Sequence, residues 1–293
     1  MELGQPLLVG LLRVVVLVAV DEEDEIGVLL NRVVRNDTIG DEAVKVFDGE
    51  VVDVVLAARP SMGKSGLGLC IAANIALRHD TPVGIFTLEM SKAEVTQRLM
   101  CSEAKVESQR LRTGKLAAED WPRLTAACDK LAKAPIYVDD TGSITMMEIR
   151  SKARRLKSRH PNLGLLVVDY LQLMTSGSNA ENRVQEVSQI SRSLKILARD
   201  LEVPIIAISQ LSRAVEQRHD KRPILSDLRE SGSIEQDADL VFFIYRDEYY
   251  NPEETDQQGL AELHLSKHRN GPTGVVKLSF LKRFAKFADL APA

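Results

Sequence analysis

With 293 residues, 44% of them hydrophobic, the chain is long enough to bury a large core and to hold one sizeable domain with a small appendage. A net charge of −4 provides no broad basic field, so any contact with nucleic acid has to come from local patches. Cys70, Cys101 and Cys128 lack C-x-x-C spacing and a neighbouring His at metal-ligand distance, which disfavours a sequence-local metal site and reads as reduced, mostly packed thiols in a cytoplasmic protein.

Residues 1–50 carry an apolar run, Pro6 to Val20, interrupted by Arg13 and followed by the acidic stretch Asp21 to Glu25. The run is too short to cross a bilayer comfortably, and its flanks do not match a signal peptide, so no membrane association is expected. Its Val-rich content predicts a buried strand or β-hairpin. From Val51 onward strands and helices alternate. An apolar strand, Val51 to Ala58, leads into a loop carrying Gly63-Lys64-Ser65, and a helix over Lys64 to Arg78 follows at once. A second strand spans Val83 to Leu88, and Ser91 with Glu94 forms a capping box that opens the next helix. A helical piece ends near Gly114, and another covers Glu119 to Ala132 with Pro122 in its first turn and Trp121 packing inward.

Ile136 to Asp139 reads as strand, and Thr145 with Glu148 is a second capping box, ahead of a helix that His160-Pro161 stops. Leu165 to Asp169 is an apolar strand closing on an acid. A polar loop over Thr175 to Asn182 precedes a long helix with Val184, Val187, Ile190, Leu194, Leu197 and Leu201 on one face. Pro204 to Ser209 is a strand tipped by Gln210, Leu240 to Tyr245 another, and Leu260 to Lys267 with Val275 to Phe280 a hairpin. The alternation predicts an α/β fold with a mainly parallel sheet flanked by helices and an antiparallel C-terminal edge hairpin.

The loop after the first strand fits a phosphate site. Backbone N–H groups converge at a strand-to-helix turn, the helix N-terminus adds partial positive charge, and Gly63 admits close approach. Lys64 is placed for β/γ-phosphates and Ser65 for Mg²⁺. The G-x-x-x-x-G-K-[ST] rule asks for Gly where this chain has Ala58. Ligands of open α/β sheets sit beyond the carboxyl ends of the strands, where Glu89, Asp169 and Gln210 also fall. Asp169 suits a carboxylate that supports Mg²⁺, Glu89 a general base for water, and Gln210 a γ-phosphate sensor. An acid after an apolar strand is common at loop starts, so the upstream loop is what turns Asp169 into a site residue.

Six segments carry a family resemblance: Ala57 to Ser65, Leu88 to Ser91, Val168 to Met174, Ser209 to Arg213, Ser226 to Asp239, and Lys267 to Pro272. Together they resemble the RecA-like ATPase domain of the replicative DnaB-type hexameric DNA helicase, in family order from about residue 51 to the C-terminus. The Ser226 to Asp239 block is far more specific than the phosphate loop. Ala58 is usual in that family. The resemblance implies Mg-ATP hydrolysis at subunit interfaces of a homohexamer and 5′-to-3′ movement on single-stranded DNA. It implies an ATP site at Ala58, Arg59, Pro60, Ser61, Met62, Gly63, Lys64 and Ser65, and Mg²⁺ at Ser65 and Asp169. Glu89 would then activate water, and Gln210 would couple the γ-phosphate to the DNA loop. Lys267 and Arg269 would reach into the neighbouring subunit's site, Arg269 as arginine finger. Arg229, Glu230 and Gly232 would line the central channel as the DNA loop.

The family's N-terminal helical domain and linker helix have no counterpart in residues 1–50, so the resemblance carries primase docking, helicase-loader docking and ring formation less firmly than the ATPase. Those residues read equally as a divergent leader, the remnant of an insertion or a mis-set start. Two other classes remain open on the residues: a filament-forming RecA-like recombinase, which the Ser226 block disfavours, and a non-catalytic nucleotide-binding module, which Glu89, Asp169 and Arg269 disfavour.

Overall fold

The computed structural model describes residues 53–171, 174 and 183–290; the expected strand or hairpin within Pro6 to Val20 and the polar loop of 175–182 lie outside them. The described strands are β1 (Asp53–Ala58), β2 (Val83–Thr87), β3 (Ile136–Asp139), β4 (Leu165–Asp169), β5 (Ile205–Gln210), β6 (Leu240–Tyr245), β7 (Leu260–His268), β8 (Gly274–Leu281) and β9 (Lys286–Ala288). They form one sheet in the order β3-β2-β4-β5-β1-β6-β7-β8-β9. Neighbours from β3 to β6 pair parallel, and β6 to β9 pair antiparallel. The apolar continuity of β1, β2, β4 and β5 follows from this position, because a parallel sheet is covered on both faces.

Alternate residues of β1 enter different cores, as a period of two requires. Val54, Leu56 and Ala58 pack with Leu67, Ala72 and Ile75 of α1 (Lys64–His79) and with Val95 and Leu99 of α2 (Lys92–Ala104). Val55 and Ala57 face Ile149 and Ala153 of α5 (Met146–Arg159) and Val187, Ile190 and Leu194 of α6 (Arg183–Leu201). Truncating one of these fully buried chains, Ile190→Ala for example, costs about 2–5 kcal/mol. A small separate cluster, Ala104, Val106, Leu124 and Ala127, joins α2 to α4 (Asp120–Lys133), with α3 (Ser108–Thr113) between them in sequence.

Both capping boxes form. Ser91 Oγ accepts from the Glu94 N–H while the Glu94 carboxylate accepts from the Ser91 N–H, and Thr145 and Glu148 repeat the arrangement. The bonds to these backbone donors hold both glutamates below the usual carboxylate range.

Several expectations need correction. Trp121 is 61% exposed instead of packed: it sits at the start of α4, whose buried face is set one turn later by Leu124 and Ala127. Val184 is exposed as well, since the first turn of α6 overhangs the core that Val187 reaches. The stretch expected as a loop around Ser231-Gly232 is helical: a 3₁₀ segment over Leu225–Ser231 runs into α7 (Gly232–Asp237), where Ile234 anchors the turn in the core. The second strand ends at Thr87, before Leu88, because the Thr87 hydroxyl accepts from the Met90 N–H and donates to the Met90 carbonyl, closing a tight turn. A further short helix, α8 (Asp247–Tyr250), follows β6. The final strand β9 was not anticipated; three residues of mixed character carry no alternation long enough to read.

Candidate active site

The strand register assembles the site at the carboxyl ends of β1, β2, β4 and β5. Ala58 pairs with Gln210 and Thr87 with Asp169, while the Leu88 N–H donates to the Asp169 carbonyl at 2.7 Å. The phosphate loop, Glu89, Asp169 and Gln210 therefore share one edge, as the sequence predicts.

Gly63 caps α1 with φ 99°, a left-handed conformation that favours glycine, and no side chain caps the helix N-terminus. The first turn of α1 also lacks acidic residues, so its N–H groups and positive end are left for an anion. A Cβ on Gly63 would lie 2.8 Å from the Phe287 ring, so the β8–β9 edge presses directly on the loop. Arg246 supports it from another side: Nη1 donates to the Ser61 carbonyl at 3.1 Å, the guanidinium stacks over Phe280 at 3.8 Å, and Glu248 pairs with it. Among the loop residues, Ala58 and Met62 are buried, and Pro60 and Ser61 line the cavity. The Arg59 side chain is directed elsewhere, with Nε to Glu216 at 2.9 Å and Nη1 to the Leu211 carbonyl at 2.7 Å, so it offers a ligand its main chain.

Lys64 and Ser65 open α1 and are buried. Lys64 Nζ lies 3.2 Å from Glu89 Oε2, 3.9 Å from Asp169 Oδ1 and 4.7 Å from the centre of the Tyr170 ring. The Ser65 hydroxyl hydrogen-bonds Asp169. Burial pushes the Asp169 carboxyl above its ordinary range, against the pull of Lys64 and Ser65. Asp169 Oδ1 is buried without a hydrogen-bond partner among the described residues. A buried carboxylate oxygen in that condition, beside a hydroxyl and facing a phosphate loop, has the chemistry of a divalent-cation site completed by phosphate oxygens. The residues present thus fit Mg²⁺. Glu89, paired with Lys64, is half exposed to solvent.

Lys64, Ser65 and Glu89 line a cavity of about 830 Å³, within the range of nucleotide-sized pockets. Gln210, Arg98 from α2, Arg112 from α3 and Arg283 from the turn after β8 also line it. The sequence reading missed the three arginines. Arg98 and Arg112 lie on separate helices and Arg283 beside a short edge, so only the fold brings them to the rim of one cavity.

Lys267 and Arg269 are not at this end. Asp239 pairs by backbone with Asp53 at the start of β1, and the Arg269 N–H donates to the Asp239 carbonyl at 2.9 Å. The length of β1 separates that point from the phosphate loop, roughly 17 Å at about 3.3 Å per residue. Lys267 Nζ donates to the carbonyls of Glu235, Gln236 and Ala238 at 2.5, 3.2 and 2.7 Å, closing the C-terminus of α7. Arg269 Nη1 pairs with Asp239 Oδ1 at 2.7 Å and the side chain is 45% exposed. The backbone of Arg229, Glu230 and Gly232 lies in the helical segment before and within α7; their side chains are outside the described residues.

A glycine loop between the first described strand and helix of a mainly parallel sheet, with Asp169 ending one further strand and Glu89 just past another, defines a nucleotide-binding α/β domain of the RecA-like ATPase class. The sequence matches the family described as DnaB-like helicase C terminal domain over residues 47–289, and the chain belongs to that family. It is 55% identical over 238 residues to replicative DNA helicase DnaB of Geobacillus stearothermophilus, covering 81% of this chain and 52% of the relative. It is 52% identical over 238 residues to replicative DNA helicase DnaC of Bacillus subtilis (strain 168), with the same coverage. The ATPase domain of G40P superposes with a TM-score of 0.79 at 42% identity, over 82% of this chain and 85% of that one. A DnaB-like replicative helicase, solved with its interactions with primase, gives the same TM-score and identity, over 82% of this chain and 57% of that one. The chain spans about half the length of the curated relatives it matches.

Proposed function

We propose that this chain is the motor domain of a replicative DNA helicase, hydrolysing Mg-ATP between subunits of a homohexameric ring and moving 5′ to 3′ on single-stranded DNA in the cytoplasm. The observation that carries this reading is the split of the expected catalytic set: Lys64, Ser65, Glu89, Asp169 and Gln210 meet at one end of the sheet, and Arg269 sits at the other. A finger so placed cannot reach its own nucleotide, and a second copy supplies the missing half.

In this reading the loop from Ala58 to Ser65 holds the phosphates through backbone N–H groups and Lys64. Ser65 and Asp169 would hold Mg²⁺, which when bound neutralises charge on the phosphate oxygens. Phosphate drawing on Lys64 frees Glu89 from its 3.2 Å ion pair, so its carboxylate turns to the attacking water and accepts the proton. Gln210, paired with Ala58 at the end of β5, senses the γ-phosphate. Arg269 of one subunit offsets charge in the neighbour's transition state. Arg229, Glu230 and Gly232 follow the DNA backbone, and primase is a second partner suggested by the similar solved helicase.

The test is complementation. Arg269→Ala chains keep a sound phosphate site, and Glu89→Ala chains keep a sound finger, so only mixed rings contain interfaces with both. Each variant alone should lose turnover, on the order of a thousandfold for Arg269→Ala, with nucleotide binding kept, and the mixture should regain activity. Mixed assemblies, verified by native mass measurement, that stay as inactive as their components would remove the trans-acting role.

A further inference from the structure

The amino-terminal end of the sheet contains a charge cluster centred on Asp239, a residue that the catalytic scheme leaves unused. Asp239, just before β6, has a side chain only 15% exposed. Its Oδ1 accepts from Lys195 Nζ on α6 at 2.7 Å and from Arg269 Nη1 at 2.7 Å, and its Oδ2 accepts from the Asp53 N–H at 3.2 Å. The main chain repeats the connection: the Asp239 N–H donates to the Asp53 carbonyl at 3.0 Å, and the Arg269 N–H to the Asp239 carbonyl at 2.9 Å. Lys195 also donates to the Asp237 carbonyl at 2.6 Å. One carboxylate thus ties α6, β1 and the turn after β7 together.

A long guanidinium side chain at a hairpin end loses rotamer entropy when ordered, and an exposed ion pair alone contributes too little to hold it. Here the carboxylate is itself fixed from behind by a nearly buried lysine and a backbone N–H, while the guanidinium keeps 45% of its surface outward. Asp53, pushed to about 7 by burial and by Asp239, is only partly ionised near neutral pH.

We propose that Asp239, braced by Lys195 and the Asp53 backbone, is the positioning residue for Arg269, presenting its guanidinium to the adjoining subunit's nucleotide. This rests on the trans-acting reading of Arg269 above. The arrangement leaves one N–H on the anchor and the rest of the fork for phosphate.

The experiment is steady-state Mg-ATP turnover by the assembled protein on single-stranded DNA, for Asp239→Ala and Lys195→Met, each in the wild-type and Arg269→Ala backgrounds. Displacing a catalytic group by about 1 Å costs on the order of a hundredfold, so kcat should fall about ten- to a hundredfold for Asp239→Ala and less for Lys195→Met, which only loosens the brace. KM should stay within about twofold, and neither loss should add to that of Arg269→Ala. Losses that multiply in the Arg269→Ala background, or a rise in KM without a fall in kcat, would overturn the positioning role alone. Wild-type turnover by Arg269→Ala itself would overturn the trans-acting reading and this inference with it.

Discussion

The two ends of the parallel sheet are built from the same kinds of residue and solve opposite problems. At the carboxyl end, Lys64, Glu89 and Gln210 line a cavity, and beside them Asp169 Oδ1 is buried without a hydrogen-bond partner among the described residues. At the amino end, Lys195, Lys267, Arg269 and Asp239 converge on one another and on backbone carbonyls, with bonds of 2.5–3.2 Å. Polar groups that await a ligand keep unsatisfied capacity, whereas groups that serve as an anchor use theirs internally. That contrast separates an end with unfilled polar capacity from an end whose charges are paired within the chain, although lysine, arginine and aspartate occur at both.

The sharpest way to break the contrast is at Lys64. Lys64→Ala removes the cation facing the β/γ-phosphates and should abolish turnover while also weakening nucleotide binding, unlike Arg269→Ala, which acts from the far end and spares binding. Titration with a nucleotide analogue alongside turnover distinguishes the two, and hydrolysis retained by Lys64→Ala would show that the loop has been misassigned. A smaller effect is expected at Arg229, in the segment leading to α7. Arg229→Ala should lower affinity for single-stranded DNA severalfold and reduce the slope of log K against log salt by about 0.7, the share of one phosphate on a single strand. An unchanged slope moves the DNA path elsewhere.

The smallest effect concerns stability at the anchor. Asp53 has its carboxyl raised from 3.8 to about 7, first by burial and then by Asp239, so in that interval the folded chain binds more protons than the unfolded one. Its favourable share of stability is therefore complete below about pH 4 and is lost as pH rises to about 7. Asp53→Asn escapes that loss, so its unfolding midpoint should exceed that of the parent at pH 8, by about 2–4 °C for each kcal/mol recovered. The difference should shrink toward pH 4. A midpoint difference independent of pH would mean that Asp53 does not titrate in this range.

Much of the site was legible in the chain because its parts are local. The phosphate loop, the two capping boxes and the apolar strands ending in Asp169 and Gln210 depend on residues within a few positions of each other, where periodicity and turn chemistry act directly. The order of strands could not be read in this way, since it depends on which apolar faces meet across the sheet. Trp121 shows the limit plainly: a large apolar residue at the start of a helix suggests burial, yet the helix turns its other face to the core.

By itself, the sequence determined that a strand, a glycine turn and a helix would follow one another at Gly63, and that Asp169 and Gln210 would terminate two neighbouring strands. Those features are short-range consequences of backbone stereochemistry and hydrophobic alternation. Only the tertiary structure decided that Arg98, Arg112 and Arg283 face the same cavity and that Arg246 and Phe287 brace its loop. It alone placed Asp239 against Lys195, Asp53 and Arg269, because residues so far apart in the chain meet through strand order and register, which no local pattern encodes.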